Sequence, residues 1–197
     1  MPYLKKIVEC INEDLKASTV KGNPLQNSLL GGIARTVSIT STDDNGDITI
    51  KKPVEFKDGR EVNHLPDDRF AFQSYHKING ITYEDSKTDY GDGGNDVNEK
   101  ASMQMIVFAD EVKLNLSMED LAHLINVGFP TTIKASRVCK EDIKKVSIRI
   151  DSVNTDSEQL YKGETGLGEY GLKPQSIYMS LSYTIETVSV KNCYSCN

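Results

Sequence analysis

The feature that most constrains this chain is the run Ile177, Met179, Leu181, Tyr183, Ile185, which alternates with polar residues without a break. A side-chain period of two cannot sit on a helix. It predicts a long strand with one face against a core and the other closer to water. Beyond Glu186 the apolar phase moves to Val188 and Val190, the pattern a bulge produces. Met103 to Ala109 and Val146, Ile148, Ile150 read as further strands.

Two segments carry the other period. Leu4, Ile7, Val8, Ile11 and Leu15 fall on one stripe of a 3.6-residue repeat, so the chain opens with an amphipathic helix. Ser117 and Asp120 form a capping-box pattern, with Leu116 and Leu121 as a hydrophobic staple. The helix they open has the stripe Leu121, Leu124, Ile125, with Gly128 and Pro130 to end it. Thr155 to Glu158 is a second capping box, opening a short helix through Tyr161.

Turn chemistry fills in the rest. Asn45-Gly46 predicts a type I′ hairpin in which Asp44 faces Asp47 and Ser41 faces Ile50, placing Val37, Ile39, Ile48 and Ile50 on one buried face. Asn79-Gly80 predicts a second hairpin between a strand over 70–78 and a short return over 81–83. Pro53 to Pro66 reads as irregular. The expected fold is one α+β domain over 1–197, an antiparallel or mixed β-sheet with the N-terminal and central helices packed on one face and long irregular loops. Residues 84–99 are expected to be a flexible acidic loop, and 191–197 a frayed tail.

Composition excludes several function classes. The chain has 23 Lys+Arg against 29 Asp+Glu, a formal charge of −6, with no tryptophan. An acidic chain without a long basic stripe is a poor match for nucleic acid as the main ligand. No apolar run approaches the ~18 residues of a membrane span. Met1 to Lys6 shows no hydrophobic signal core, so a reducing cytosol is expected. Cys10, Cys139, Cys193 and Cys196 are too few for a disulfide scaffold, and the terminal CxxC has no second half to complete a zinc site.

Catalytic motifs fail on context. Gly166 to Gly171 matches GxGxxG, but the strand before it and the helix after it are missing. His64, His76 and His123 are far apart, and no nucleophile, base and orienter can be grouped, so no enzyme, cofactor or metal is expected. Asp43, Asn45 and Asp47 lack the glycine and glutamate of a calcium loop. Asp89, Asp92, Asp96 and Glu99 are spaced more loosely still, and would be the only foothold for a metal-dependent enzyme.

Charge is unevenly placed. Residues 84–99 carry a net charge of −5, and 134–149 a net charge of +4. The pattern reads either as two solvated surfaces or as a head-to-tail interface, with Lys134, Arg137, Lys140, Lys144 and Lys145 of one copy meeting Asp89, Asp92, Asp96 and Glu99 of the next. Heterologous contacts of that kind close into rings.

The order of elements resembles the tail-terminator and tail-completion proteins of tailed bacteriophages. Asp67 to Phe70 through Tyr75 to Ile78, Met103 to Ala109, and Leu172 to Ile177 running into Tyr183 to Glu186 are similar to structural proteins of phages infecting Bacteroidetes, including the crAss-like group. The resemblance implies a virion structural protein, assembled in the bacterial host cytoplasm, that forms a homo-oligomeric ring of six or twelve copies at the head-to-tail junction. Portal, adjacent ring or tail proteins would be its neighbours, DNA would pass through the lumen, and no membrane would be involved. The alternative is a small cytosolic protein-binding adaptor that works through a strand edge or the acidic segment.

Overall fold

The computed structural model describes residues 2–18, 25, 28–43, 46–67, 69–86, 96–138, 143–165 and 173–190. The elements run α1 (Pro2–Ala17), β1 (Leu29–Ile33), β2 (Arg35–Asp43), β3 (Gly46–Lys57), β4 (Arg60–Asn63), β5 (Phe72–Ser86) and β6 (Asp96–Asp110). They continue through α2 (Glu111–Leu114), α3 (Met118–Gly128), β7 (Thr132–Ile133), α4 (Ala135–Val138), β8 (Ile143–Asn154), α5 (Ser157–Thr165) and β9 (Ser176–Val190). The fold is α+β. A six-stranded sheet has the order β1-β5-β6-β9-β8-β7, and β2-β3-β4 form a second sheet. Among the described residues only β1 and β5 pair in parallel, which makes the larger sheet mixed.

The period-two run does what its pattern requires. Ile177, Met179, Leu181, Tyr183 and Ile185 lie on the same face as Met103, Met105 and Val107, and all are buried. Leu4, Ile7, Val8, Ile11 and Leu15 of α1, with Leu121, Leu124 and Ile125 of α3, close over that face. At roughly 25 cal/mol per Å² of apolar surface removed from water, this single layer supplies most of the drive to fold.

Several local expectations shift. β9 runs on through Val190 without a bulge, and Thr187 takes the buried position where the pattern lacked an apolar residue. The irregularities lie in β8, between Ile143 and Lys145 and between Ile150 and Ser152. Asn79-Gly80 is no turn: β5 continues to Ser86, and the register slips by one residue at Asn79. A type I′ turn needs positive φ, which Gly80 does not adopt. The segment 84–99 is strand at both ends, and residues 87–95 lie outside those described.

The β2–β3 hairpin forms with its register shifted by two from that expected, with Asp43 opposite Gly46 and Ser41 opposite Ile48. A slip of two preserves faces, so Val37, Ile39 and Ile50 still share one. That face is not buried: Ile39 is 42% exposed. Residues 53–66, expected to be irregular, hold a second hairpin, because Asp58 (φ 50°) and Gly59 (φ 76°) make the tight turn between β3 and β4.

The helix ends also differ. Ser117 Oγ accepts the Asp120 N–H at 3.1 Å, as a cap should, but its hydroxyl donates to Asp120 Oδ2 at 2.9 Å. Gly128 is the last helical residue rather than a left-handed cap. A Cβ there would lie 3.2 Å from Ser18 Oγ and 3.4 Å from Leu15 Cδ2, so the helix end packs closely against the end of α1. Asp156, not Thr155, caps α5 through the Gln159 N–H.

Candidate functional site

The face of the large sheet turned away from α1 carries a small aromatic cluster of Tyr75, Phe108 and Tyr178 with Ala34 and Ile106, covered by Leu160 and Tyr161 of α5. Charge is threaded through it. Glu164 of α5 accepts the Tyr75 hydroxyl at 3.0 Å and the Lys77 ammonium at 2.8 Å. Burial, first of all, drives the Tyr75 and Tyr178 hydroxyls far above the ordinary phenol range, so both stay protonated. Ser157 Oγ donates to the Tyr178 carbonyl and accepts its N–H, which pins α5 across β9.

Beside this cluster lies the joint between the two sheets. His64 Nε2 and Glu55 Oε2 are 3.0 Å apart, both side chains at least nine-tenths buried, and His64 stacks on Tyr75. Glu55 Oε2 also accepts the Gly32 N–H at 2.7 Å. The pair Gly31-Gly32 makes room for this. A Cβ on Gly31 would stand 2.4 Å from His64 Cε1, and one on Gly32 2.3 Å from Glu55 Oε1. Along the sequence Gly31-Gly32 reads as part of a loop, and Glu55 has no role. An adjacent glycine pair just before an apolar residue is the one signal that could have marked the close approach.

The same joint opens outward as a groove of about 660 Å³ lined by Ile33, Ala34, Arg35, Thr36, Val54, Phe56, Lys77 and Ile78. Phe56 is 67% exposed and Ile78 41%, an unusual display of large apolar side chains around one depression. Under the opposite face, His76 is fully buried between Tyr183 and Asn12, and loss of solvation pushes it down to about 3.

The predicted interface residues separate into four groups. Asp89, Asp92 and Lys140 lie outside the described residues. Lys144 pairs with Asp96 at 2.7 Å, and Arg137 with Asp14 at 2.9 Å and Glu13 at 3.0 Å, so these charges are joined within one chain. Glu99 is buried with Oε1 unpartnered, and burial raises its carboxyl above the ordinary range. Lys134 and Lys145 are exposed. Among the described residues no three His, Cys, Asp or Glu side chains are placed to hold a metal ion, and no helix is long and apolar enough to cross a membrane. The calcium-like residues Asp43 and Asn45, the GxGxxG segment 166–171 and the terminal CxxC have no described side chains. Comparison of the chain with protein-family models and with curated proteins finds no match.

Proposed function

We propose that this chain is a virion structural protein, a ring-forming subunit at the head-to-tail junction of a tailed phage, with no catalytic role. The observation that carries the proposal is the groove between the two sheets, where Phe56 and Ile78 stand exposed beside Arg35 and Lys77. Such a surface suits contact between protein subunits: apolar anchors at the centre and charge at the rim. The resemblance of 67–78, 103–109 and 172–186 to phage structural proteins supports the same role. The buried polar groups support it too, since His64, Glu55, Tyr75 and Glu164 bond to one another and to the backbone. They read as clamps that fix the two sheets.

Copies would join as a ring of six or twelve, stacked on portal or tail proteins, with DNA passing through. The basic side of such a contact would rest on Lys134 and Lys145, because Arg137 and Lys144 are already paired at home. Native mass spectrometry at low and moderate salt tests the proposal. A discrete assembly of six or twelve chains is expected. A 21.9 kDa species at every salt and protein concentration would overturn self-assembly.

A further inference from the structure

We propose that the outer edge of β2 is a docking strand for the same edge of a second copy, the two strands pairing antiparallel about a two-fold axis at Ser38. Among the described residues β2 has a strand on one side only, because β3 lies between β2 and β4. β4 covers β3 only from Val54 to Lys57, so from Val37 to Asp43 the small sheet is a ribbon of two strands. Two strands alone are marginal in water, and a third along β2 would complete the sheet.

The ladder fixes which backbone groups this edge offers. The His64 N–H donates to the Pro53 carbonyl at 2.9 Å, so Pro53 turns its backbone toward the β4 side. Thr36, its partner across the ladder, therefore turns its own N–H and C=O away from β3. The β2–β3 register runs on without a shift, so Ser38 and Thr40 point outward too. Among the described residues no backbone hydrogen bond reaches these outward groups. The outer side of β3 is guarded by comparison. Its outward positions are Asp47, Thr49, Lys51 and Pro53, and Lys51 Nζ donates to the Gly163 carbonyl of α5 at 3.0 Å. β2 has no such guard: Thr36 to Thr42 is an unbroken run of Thr, Val, Ser and Ile, without charge, proline or glycine.

That composition favours a copy of itself as the occupant, since uncharged, β-branched strands pair with their own kind without repulsion. With Ser38 opposite Ser38, Thr36 meets Thr40, and these pairs exchange N–H···O bonds through the outward groups. Val37 then meets Ile39, twice over by symmetry. Opposed residues share a face, so hydroxyls meet on one side of the joined sheet and apolar side chains on the other. An axis at Ile39 would set Val37 against Ser41, and one at Thr40 would set Ile39 against Ser41. Ser38 is the centre that leaves Ile39, 42% exposed in the single chain, beside an apolar partner. The contact is isologous and cannot by itself close a six-fold ring. It goes beyond the proposed ring and does not depend on it.

The test is residue-resolved hydrogen exchange on the full chain across a range of concentrations, with sedimentation of the wild type, Ser38→Lys and Thr49→Lys. The amides of Thr36, Ser38 and Thr40 should become protected as concentration rises. Ser38 is exposed and its backbone is not bonded to β3, so Ser38→Lys leaves the hairpin intact. It sets two like charges directly opposite at the axis and should raise the dimer dissociation constant about tenfold. Thr49→Lys adds the same charge to the same face one strand away and should change that constant by less than about threefold. A dimer weakened equally by both variants, or by neither, would overturn the pairing, as would a chain that stays monomeric at every concentration. A ring whose three amides stay unprotected would overturn it and leave the proposed function standing. A dimer that protects them without forming a ring would do the opposite.

Discussion

The Tyr183 hydroxyl lies 2.8 Å from His76 Nδ1, joining β9 to β5 across β6 in the buried layer beneath α1. Asn12 of α1 completes the chain: its Nδ2 donates to the Gly31 carbonyl at 2.9 Å, so its Oδ1 faces His76 Nε2 at 3.2 Å as an acceptor. The proton therefore sits on Nε2, and Nδ1 accepts from the tyrosine. One neutral histidine thus ties a helix to two strands, with each of its nitrogens used. Tyr183→Phe removes the donor and leaves Nδ1 buried and unpaired. It should cost about 1–3 kcal/mol in urea unfolding, with the denaturant slope unchanged.

Acid should undo the same arrangement. Burial holds His76 at about 3, against 6.5 for an exposed histidine. Between those values the unfolded chain binds a proton that the folded chain refuses, so folding free energy rises with pH across the window and is complete above 6.5. The group contributes at most about 1.4 kcal/mol per pH unit there. Comparing unfolding of the wild type and His76→Gln from pH 4 to 7 isolates this slope, which the variant should lack.

Glu99 should show the opposite sign. Its carboxyl is raised by burial, so the folded state holds a proton more tightly than the unfolded state does. Its contribution to stability is fully present below the unfolded value and is lost as pH rises through the folded one. Glu99→Gln should therefore be more stable than the wild type at pH 8, and the difference should close as the pH falls to 4. Thermal melts at the two pH values would show it.

The glycines divide by what surrounds them. Gly31→Ala places a methyl carbon 2.8 Å from the Ser74 carbonyl, backbone that cannot step aside, as well as against His64. It should destabilise by about 3 kcal/mol or abolish folding. A methyl group on Gly163 of α5 would meet nothing within 4 Å, and Gly163→Ala should gain about 0.5–1 kcal/mol from helix propensity. Chemical denaturation of the two variants side by side checks the contrast.

Charge reversal at Lys144 and Lys145 should have separable effects. Lys144→Glu breaks the exposed pair with Asp96 and should cost the monomer at most about 1 kcal/mol. Lys145→Glu should leave stability unchanged and weaken any salt-dependent assembly. Equal assembly by wild type and Lys145→Glu at low salt would remove Lys145 from the interface.

Elements whose periodicity is carried by many residues are legible from the chain alone. The five-residue stripe of α1, the alternation in β9 and the Ser117 cap each repeat one message several times, and burial enforces it. The α+β class and the placement of both helices on one face follow from those stripes, because each apolar face has to be covered. Asp58-Gly59 is equally legible as a turn signal, though the polar residues around it obscure the strands on either side.

The remainder was settled by contacts between residues far apart in the chain. Asn79-Gly80 has the composition of a turn, yet β6 offers β5 a continuous partner from Ala109 to Asp96, and the ladder bonds outweigh a local preference worth about 1 kcal/mol. Nothing in the sequence joins Glu55 to Gly32, Glu164 to Tyr75, or Asp96 to Lys144. Those pairs exist because the sheet order brings β1, β5 and β8 to their places. Charge counting along the chain finds two opposite patches but cannot show that part of each is neutralised at home. Ion pairing depends on a few ångströms of separation, and sequence distance does not encode that.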